Sequence, residues 1–211
     1  MDRRDFVKKA GVYVPAAIGF PYVAKSVPPH HSVVAKKNVA GFTLEDSHEA
    51  GTSGRAIGDG TTACTAGVVK VNSSYTITRF GVRLNKLNSP TGTITAYLYD
   101  AATSGDHDAP DDRLSTCTAT LDISTLTASY DWYYFDLTTP FAATSGKSYS
   151  IVLYSDASNG SAYARAEWNA FIGSNAYELW NRGSGPPAAT NDSGFWGQQD
   201  PNGSLNHRLY S

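Results

Sequence analysis

The chain is short of charge, of sulfur and of long apolar runs. Charged residues make up only 17%, and 17 Lys and Arg nearly balance 19 Asp and Glu, for a formal net charge of −2. No basic patch or run is present, which argues against nucleic acid as a partner. One methionine, the initiator, and two cysteines supply all the sulfur. No Cys/His spacing matches a zinc site. A Ser-nucleophile motif, a P-loop and a dinucleotide fingerprint are all missing. Outside the N-terminus no amphipathic helix of useful length can be drawn. What is abundant is Gly, Ser, Thr and aromatic residues, with 19 Gly and 13 Tyr. That balance belongs to exported all-β modules with polar strands and many turns.

The N-terminus differs from the rest. Arg3-Arg4-Asp5-Phe6-Val7-Lys8 resembles the twin-arginine export motif, and a modest apolar stretch runs from Ala10 to Ala24. Its length suits a signal h-region, and its Pro and Gly residues make it a poor membrane span. The expectation is export to the periplasm, the cell surface or beyond. Ala24-Lys25-Ser26 is a better cleavage triplet than Tyr22-Val23-Ala24. An uncleaved anchor is the alternative, and the one route to a membrane. The division expected is 1–26 as signal or anchor, 27–61 as arm or linker, and 62–211 as one domain. About 185 residues beyond the signal are enough for one sizeable core.

From Thr62 onward, short runs rich in Val, Ile, Thr and Tyr alternate with turn residues at regular spacing, the mark of an all-β fold. Strands are predicted near 64–71, 75–86, 92–100, 113–121, 131–138, 147–155, 161–168, 176–181 and 205–210. With the first set aside, eight remain, the count of an antiparallel two-sheet jelly-roll β-sandwich. Alternation assigns the faces. Ile94, Ala96 and Leu98 oppose Thr95, Tyr97 and Tyr99. Tyr133, Phe135 and Leu137 oppose Trp132, Tyr134 and Asp136. Tyr149, Ile151 and Leu153 oppose Ser150, Val152 and Tyr154. In 75–86 the phase slips by one residue, which predicts a β-bulge near Thr78-Arg79. Phe80, Val82 and Leu84 join the inward residues of the other strands in the expected core.

Two cysteines in an exported chain predict one disulfide, Cys64–Cys117. It would close a loop of about 54 residues, worth roughly 4 kcal/mol in the chain-entropy account. Two buried free thiols are the alternative.

Three segments, SYTITRFGVRLNKLNSPTGTITAYLYDA, WYYFDLTTPFAATSGKSYSIVLYSD and the closing LNHRLY, carry a family resemblance. They are similar to the carbohydrate-binding-module-like jelly-roll domains of bacterial surface and phage-associated proteins. The resemblance covers about residues 62–211. Its motifs are structural rather than catalytic, so it implies a fold, and a binding or structural role, more than a chemistry.

Jelly-roll order would put 92–100, 131–138, 147–155 and 176–181 in one sheet. Their outward residues Tyr97, Tyr99, Trp132, Tyr134 and Tyr154, with Trp180 or Tyr177 on the last strand, would then tile one solvent face. Such a platform suits stacking of sugar rings or contact with a surface protein. Tyr is also simply a good strand residue, and residues 25–60 could cover the face. Asp106, Asp108, Asp111 and Asp112 in one loop form a candidate calcium site, with a solvated hairpin loop as the alternative. No other cofactor is expected. Glu167 and Glu178, on neighbouring strands, are the only candidate acid and base for a glycosidase, and nothing completes that site. The sequence therefore predicts an exported, non-enzymatic module that binds glycan or protein. A structural subunit of a surface filament, layer or virion, pairing with copies of itself through the arm, is the alternative, and a glycosidase the third.

Overall fold

The computed structural model describes residues 41–49, 51, 53–102, 109–157, 159–170, 179–200 and 203–211. The export motif lies outside them. In chain order the strands are β1 (Leu44–His48), β2 (Ser53–Ile57), β3 (Cys64–Lys70), β4 (Tyr75–Leu87), β5 (Thr93–Ala101), β6 (Pro110–Thr116) and β7 (Leu121–Asp122). They continue with β8 (Asp131–Ala143), β9 (Ser148–Ser155), β10 (Tyr163–Ala170), β11 (Leu179–Arg182), β12 (Gly197–Asp200), β13 (Gly203–Leu205) and β14 (His207–Tyr210).

These strands form two antiparallel sheets, a β-sandwich. The first runs β1-β14-β4-β10-β13, with β8 on the other edge of β4 and β2 on the other edge of β10. The second runs β12-β11-β3-β9-β5-β6, with β7 beside β5. Among the described strands β8 pairs with β4 alone, and its other edge carries a single bridge from Leu137 to Cys117. Such an edge tolerates Pro140, which has no N–H for a ladder. The predicted bulge is present: the β4–β8 register shifts between Ile77 and Arg79. There the partner on β8 jumps from Phe141 to Asp136 while β4 advances only from Ile77 to Arg79, and Ile77 and Phe80 both face inward.

The strand phases hold. Phe80, Val82, Leu84, Ile94, Leu98, Phe135, Leu137, Ile151 and Leu153 all lie in the core between the sheets, each 6% exposed or less. The sheets approach closely at Gly67 of β3. A Cβ placed there would lie 2.7 Å from Leu205 Cγ on β13.

Three expectations about arrangement fail. First, residues 44–57, read as arm, supply β1 and β2 of the first sheet, pairing with β14 and β10. They were illegible because their apolar content is low: Arg55, Asp46 and His48 sit where a strand would ordinarily show Val or Ile. Second, the strand at 131–138 lies in the first sheet, paired with β4, and β6 takes the place beside β5. Alternation fixes which way a side chain points along its own strand but not which sheet the strand joins. Third, Cys64 and Cys117 are both buried free thiols. Cys117 faces the core between the sheets, and Cys64 lies in a separate cluster on the far side of the second sheet. Burial pushes both thiols up to about 12.

Candidate functional site

The outward face of the second sheet is not solvent. Cys64, Ala66, Val68, Tyr97, Tyr99, Val152, Trp180 and Trp196 form a second apolar cluster there. The segment between β11 and β12 folds over it. Arg113 of β6 clamps this cover: its Nη2 donates to Pro187 O at 2.7 Å, its Nε to the Tyr99 hydroxyl at 3.0 Å, and its guanidinium lies 4.5 Å above the Tyr97 ring. The Tyr99 hydroxyl donates to Ala188 O, and burial pushes it up to about 12. Tyr97 is raised as well, first by burial.

Asp192 anchors the cover from inside. It is fully buried. Its Oδ1 accepts from Arg182 Nη1 and from Ala188 N, the latter at 3.1 Å, and its Oδ2 accepts from Trp196 Nε1 at 2.8 Å. A buried carboxylate with three donors is well satisfied.

The expected single platform of Tyr97, Tyr99, Trp132, Tyr134, Tyr154 and Trp180 is therefore split. Tyr97, Tyr99 and Trp180 are buried beneath the cover, and Tyr154 lies half-buried at its margin. Of the two options on the last strand, Trp180 points outward and Leu179 into the core. Tyr177 and Glu178 lie outside the described residues.

Trp132 and Tyr134 point outward from the other sheet. There an arginine already occupies the indole face: Arg208 sits 3.9 Å above Trp132, held by Glu49 at 2.6 and 3.0 Å and donating to the Tyr134 hydroxyl at 3.2 Å. Arg79 likewise stacks on Phe42 at 3.9 Å and bonds Asp136 at 2.5 and 2.9 Å. These side chains stabilise one another through cation–π and charge-assisted contacts.

The candidate acid Glu167 is buried, ion-paired to Arg83 at 2.7 Å and accepting from Asn206 Nδ2 at 2.5 Å. Asp106 and Asp108 lie outside the described residues. The Asp112 carboxylate accepts from Asn191 N at 3.0 Å, and the Asp111 carbonyl from Asp192 N at 3.1 Å. Both thus help seat the cover.

A concave site lies elsewhere, along one edge of the sandwich. It is a polar cleft of about 620 Å³ where β2 and β10 of the first sheet meet β11 and β12 of the second. β2 supplies Arg55, β10 supplies Tyr163 and Arg165, β11 supplies Asn181, and β12 supplies Gln199. The Arg55 Nε donates to Asn181 Oδ1 at 3.3 Å and its Nη2 donates to Gln199 Oε1. Burial lowers Arg55 against the carboxylates of Asp59 and Asp200, and an arginine stays cationic throughout. Asn181 Oδ1 also accepts from Thr65 Oγ1 at 3.4 Å. The Arg165 Nε donates to Asn85 Oδ1 at 3.1 Å.

Asp59 shapes the cleft's other wall. Its Oδ1 accepts from Thr61 N and Oγ1, each at 2.9 Å, and from Thr62 N at 2.6 Å, which closes the turn into β3. Phe195, in the 3-10 turn Ser193–Phe195, lines the cleft with 65% of its surface exposed. Arg182 lies 5.1 Å from its ring.

The cleft escaped sequence reading because its residues come from four separated segments, two of them read as arm or loop. One signal was available. Phe195-Trp196 in a stretch of Gly, Ser and Asp asks for a reason, and here Trp196 is buried while Phe195 faces outward.

No protein-family model and no curated protein matches the chain. Two solved structures are similar in shape. One comprises the cysteine protease and lectin-like domains of Cwp84, a surface layer associated protein of Clostridium difficile. It aligns over 82% of this chain at 11% identity with a TM-score of 0.44. This chain spans 36% of that protein's length. The other is a family 35 carbohydrate-binding module from an environmental isolate, aligned over 72% of this chain and 97% of its own at 15% identity and a TM-score of 0.32. Likenesses this slight leave the argument to the geometry of the cleft.

Proposed function

We propose that this chain is a non-catalytic binding module that takes a glycan in the cleft between β2, β10, β11 and β12. The observation that carries the reading is the cleft itself: concave, polar, and furnished with planar side chains already fixed by hydrogen bonds. Sugars present hydroxyls in pairs at fixed spacing, and amides and guanidinium groups match them with donors and acceptors at fixed spacing. Arg55, Arg165, Asn181 and Gln199 supply these. Prior ordering lowers the entropic cost of binding. Phe195 supplies an apolar surface at the cleft for the C–H side of a ring.

A binding role without turnover is supported by the carboxylates present. Asp59 is the one carboxylate among the described lining residues, and it is committed to its turn. Glycoside hydrolysis ordinarily needs two facing carboxyl groups. The twin-arginine-like run supports action outside the cytoplasm.

The test is a glycan array followed by titration calorimetry on the best glycan. Phe195→Ala and Gln199→Ala should each weaken binding by at least about fivefold, the loss of roughly 1 kcal/mol, without lowering the melting temperature. Binding that survives both changes, or an array without hits, overturns the proposal.

A further inference from the structure

A second hollow, of about 200 Å³, opens beside the cleft. Tyr154, Asp156 and Ala157 form one wall, and Gly183, Ser184 and Gly185 the other. Alone it falls below the roughly 300–1,000 Å³ of ordinary ligand pockets. It is not isolated, however, because Gly183 lines both hollows. The turn before β3 divides them, and Gly183 forms a saddle past that turn.

The saddle is rigid and bare. Ala63 N donates to Arg182 O at 2.9 Å, and Ser155 N to Ala63 O at 3.0 Å. Arg182 Nε holds Ser184 O at 3.1 Å. A Cβ on Gly183 would stand 3.2 Å from Thr61 O, so a side chain would crowd the turn. Beyond the saddle, the Asp156 carboxylate is fixed by Thr93, accepting from its N at 2.6 Å and its Oγ1 at 3.1 Å. It stands beside the half-buried Tyr154 ring. An aromatic ring next to a fixed carboxylate repeats the pairing of apolar face and hydroxyl partner found in the main cleft.

Building on the glycan reading of the cleft, we infer that the two hollows are subsites of one site. Its ligand is a linear oligosaccharide that crosses Gly183, with Tyr154 stacking on the unit in the smaller hollow. A monosaccharide binds within the larger cleft alone.

The test uses length series, from monosaccharide to hexasaccharide, of the array glycans, titrated against the full chain. Affinity should rise by about tenfold once the ligand is long enough to span both hollows, the worth of one good stacking contact. Tyr154→Ala should abolish this rise and leave monosaccharide affinity unchanged, whereas Tyr154→Phe should keep it. If glycans bind with no gain in length, or if Tyr154→Ala weakens all lengths equally, the two-subsite inference falls and the cleft reading stands. If no glycan of any length binds, both fall. Unfolding curves of Tyr154→Ala and wild type control for loss of fold.

Discussion

Gly67→Ala is a one-carbon change that should cost this protein much of its stability. Gly67 sits mid-strand in β3, paired with Ile151 on one side and Leu179 on the other. Neither neighbour leaves the strand room to retreat. A Cβ at 67 would meet Leu205 Cγ at 2.7 Å, Cβ at 3.0 Å and Cδ1 at 3.1 Å. Comfortable carbon contacts lie near 3.5–4.0 Å, so three contacts are too short at once. Leu205 is 1% exposed and cannot swing into solvent. Overpacking of this kind costs about 1–3 kcal/mol. Leu205→Ala alone should cost about 2–5 kcal/mol, because it leaves a hole facing a bare glycine. In the double variant the new methyl enters that hole. The double should therefore be more stable than the sum of the singles by about 1–3 kcal/mol. Urea unfolding of all four proteins measures this, provided the m-values agree. Additivity within about 0.5 kcal/mol would refute the claim that the sheets touch at this pair.

Other outcomes follow from the same geometry. Ellman's reagent should find no reactive thiol in the native protein and two after denaturation without reductant, since both cysteines are buried and free; zero would restore the disulfide. His207 is buried opposite His48 on β1, and burial lowers it despite Asp46, Glu49 and its contact with Leu205 O. The unfolded chain then takes up the proton first, so stability should fall as pH drops below about 6.5, and His207→Asn should flatten that part of the pH profile. A melting temperature level across this range in the wild type would contradict it. Glu167→Gln should cost about 2 kcal/mol, below the usual range for breaking a buried pair because Arg83 is partly exposed; calorimetric binding of glycan should not change, and a loss of binding would extend the site to the open face of the first sheet.

Much of the fold was legible in the chain. Alternation along 93–98, 133–137 and 149–154 gave the inward residues correctly because each strand has one wet or separately covered face and one core face. The slip at Thr78-Arg79 was legible for the same reason: two apolar phases meet there, and only a break in register reconciles them. Sheet membership was legible for β5, β9 and β11, which share the second sheet, but not for β8. β8 and β9 are joined by the short turn 144–147, yet they lie in different sheets, and nothing in local sequence distinguishes a hairpin from such a crossing. The site was less legible still. Arg55 lies more than a hundred positions from Asn181 and Gln199, with which it converges, and each is by itself an ordinary surface residue.

The cover over the second sheet explains why outward aromatics misled and where a site arose instead. Tyr97, Tyr99 and Trp180 obey the alternation rule, but a face is exposed only if nothing folds back across it. Here Asp192 makes that return possible. Backbone and side chains that cross an apolar cluster need partners for their polar groups, and Asp192 supplies them at three points, for Arg182, Ala188 and Trp196. The short turn that buries Trp196 is the same turn that projects Phe195. Adjacent residues in this turn thus divide the work, one completing the hidden cluster and the other lining the cleft. The aromatic platform suggested by the sequence has become the foundation on which the cleft's aromatic wall is held.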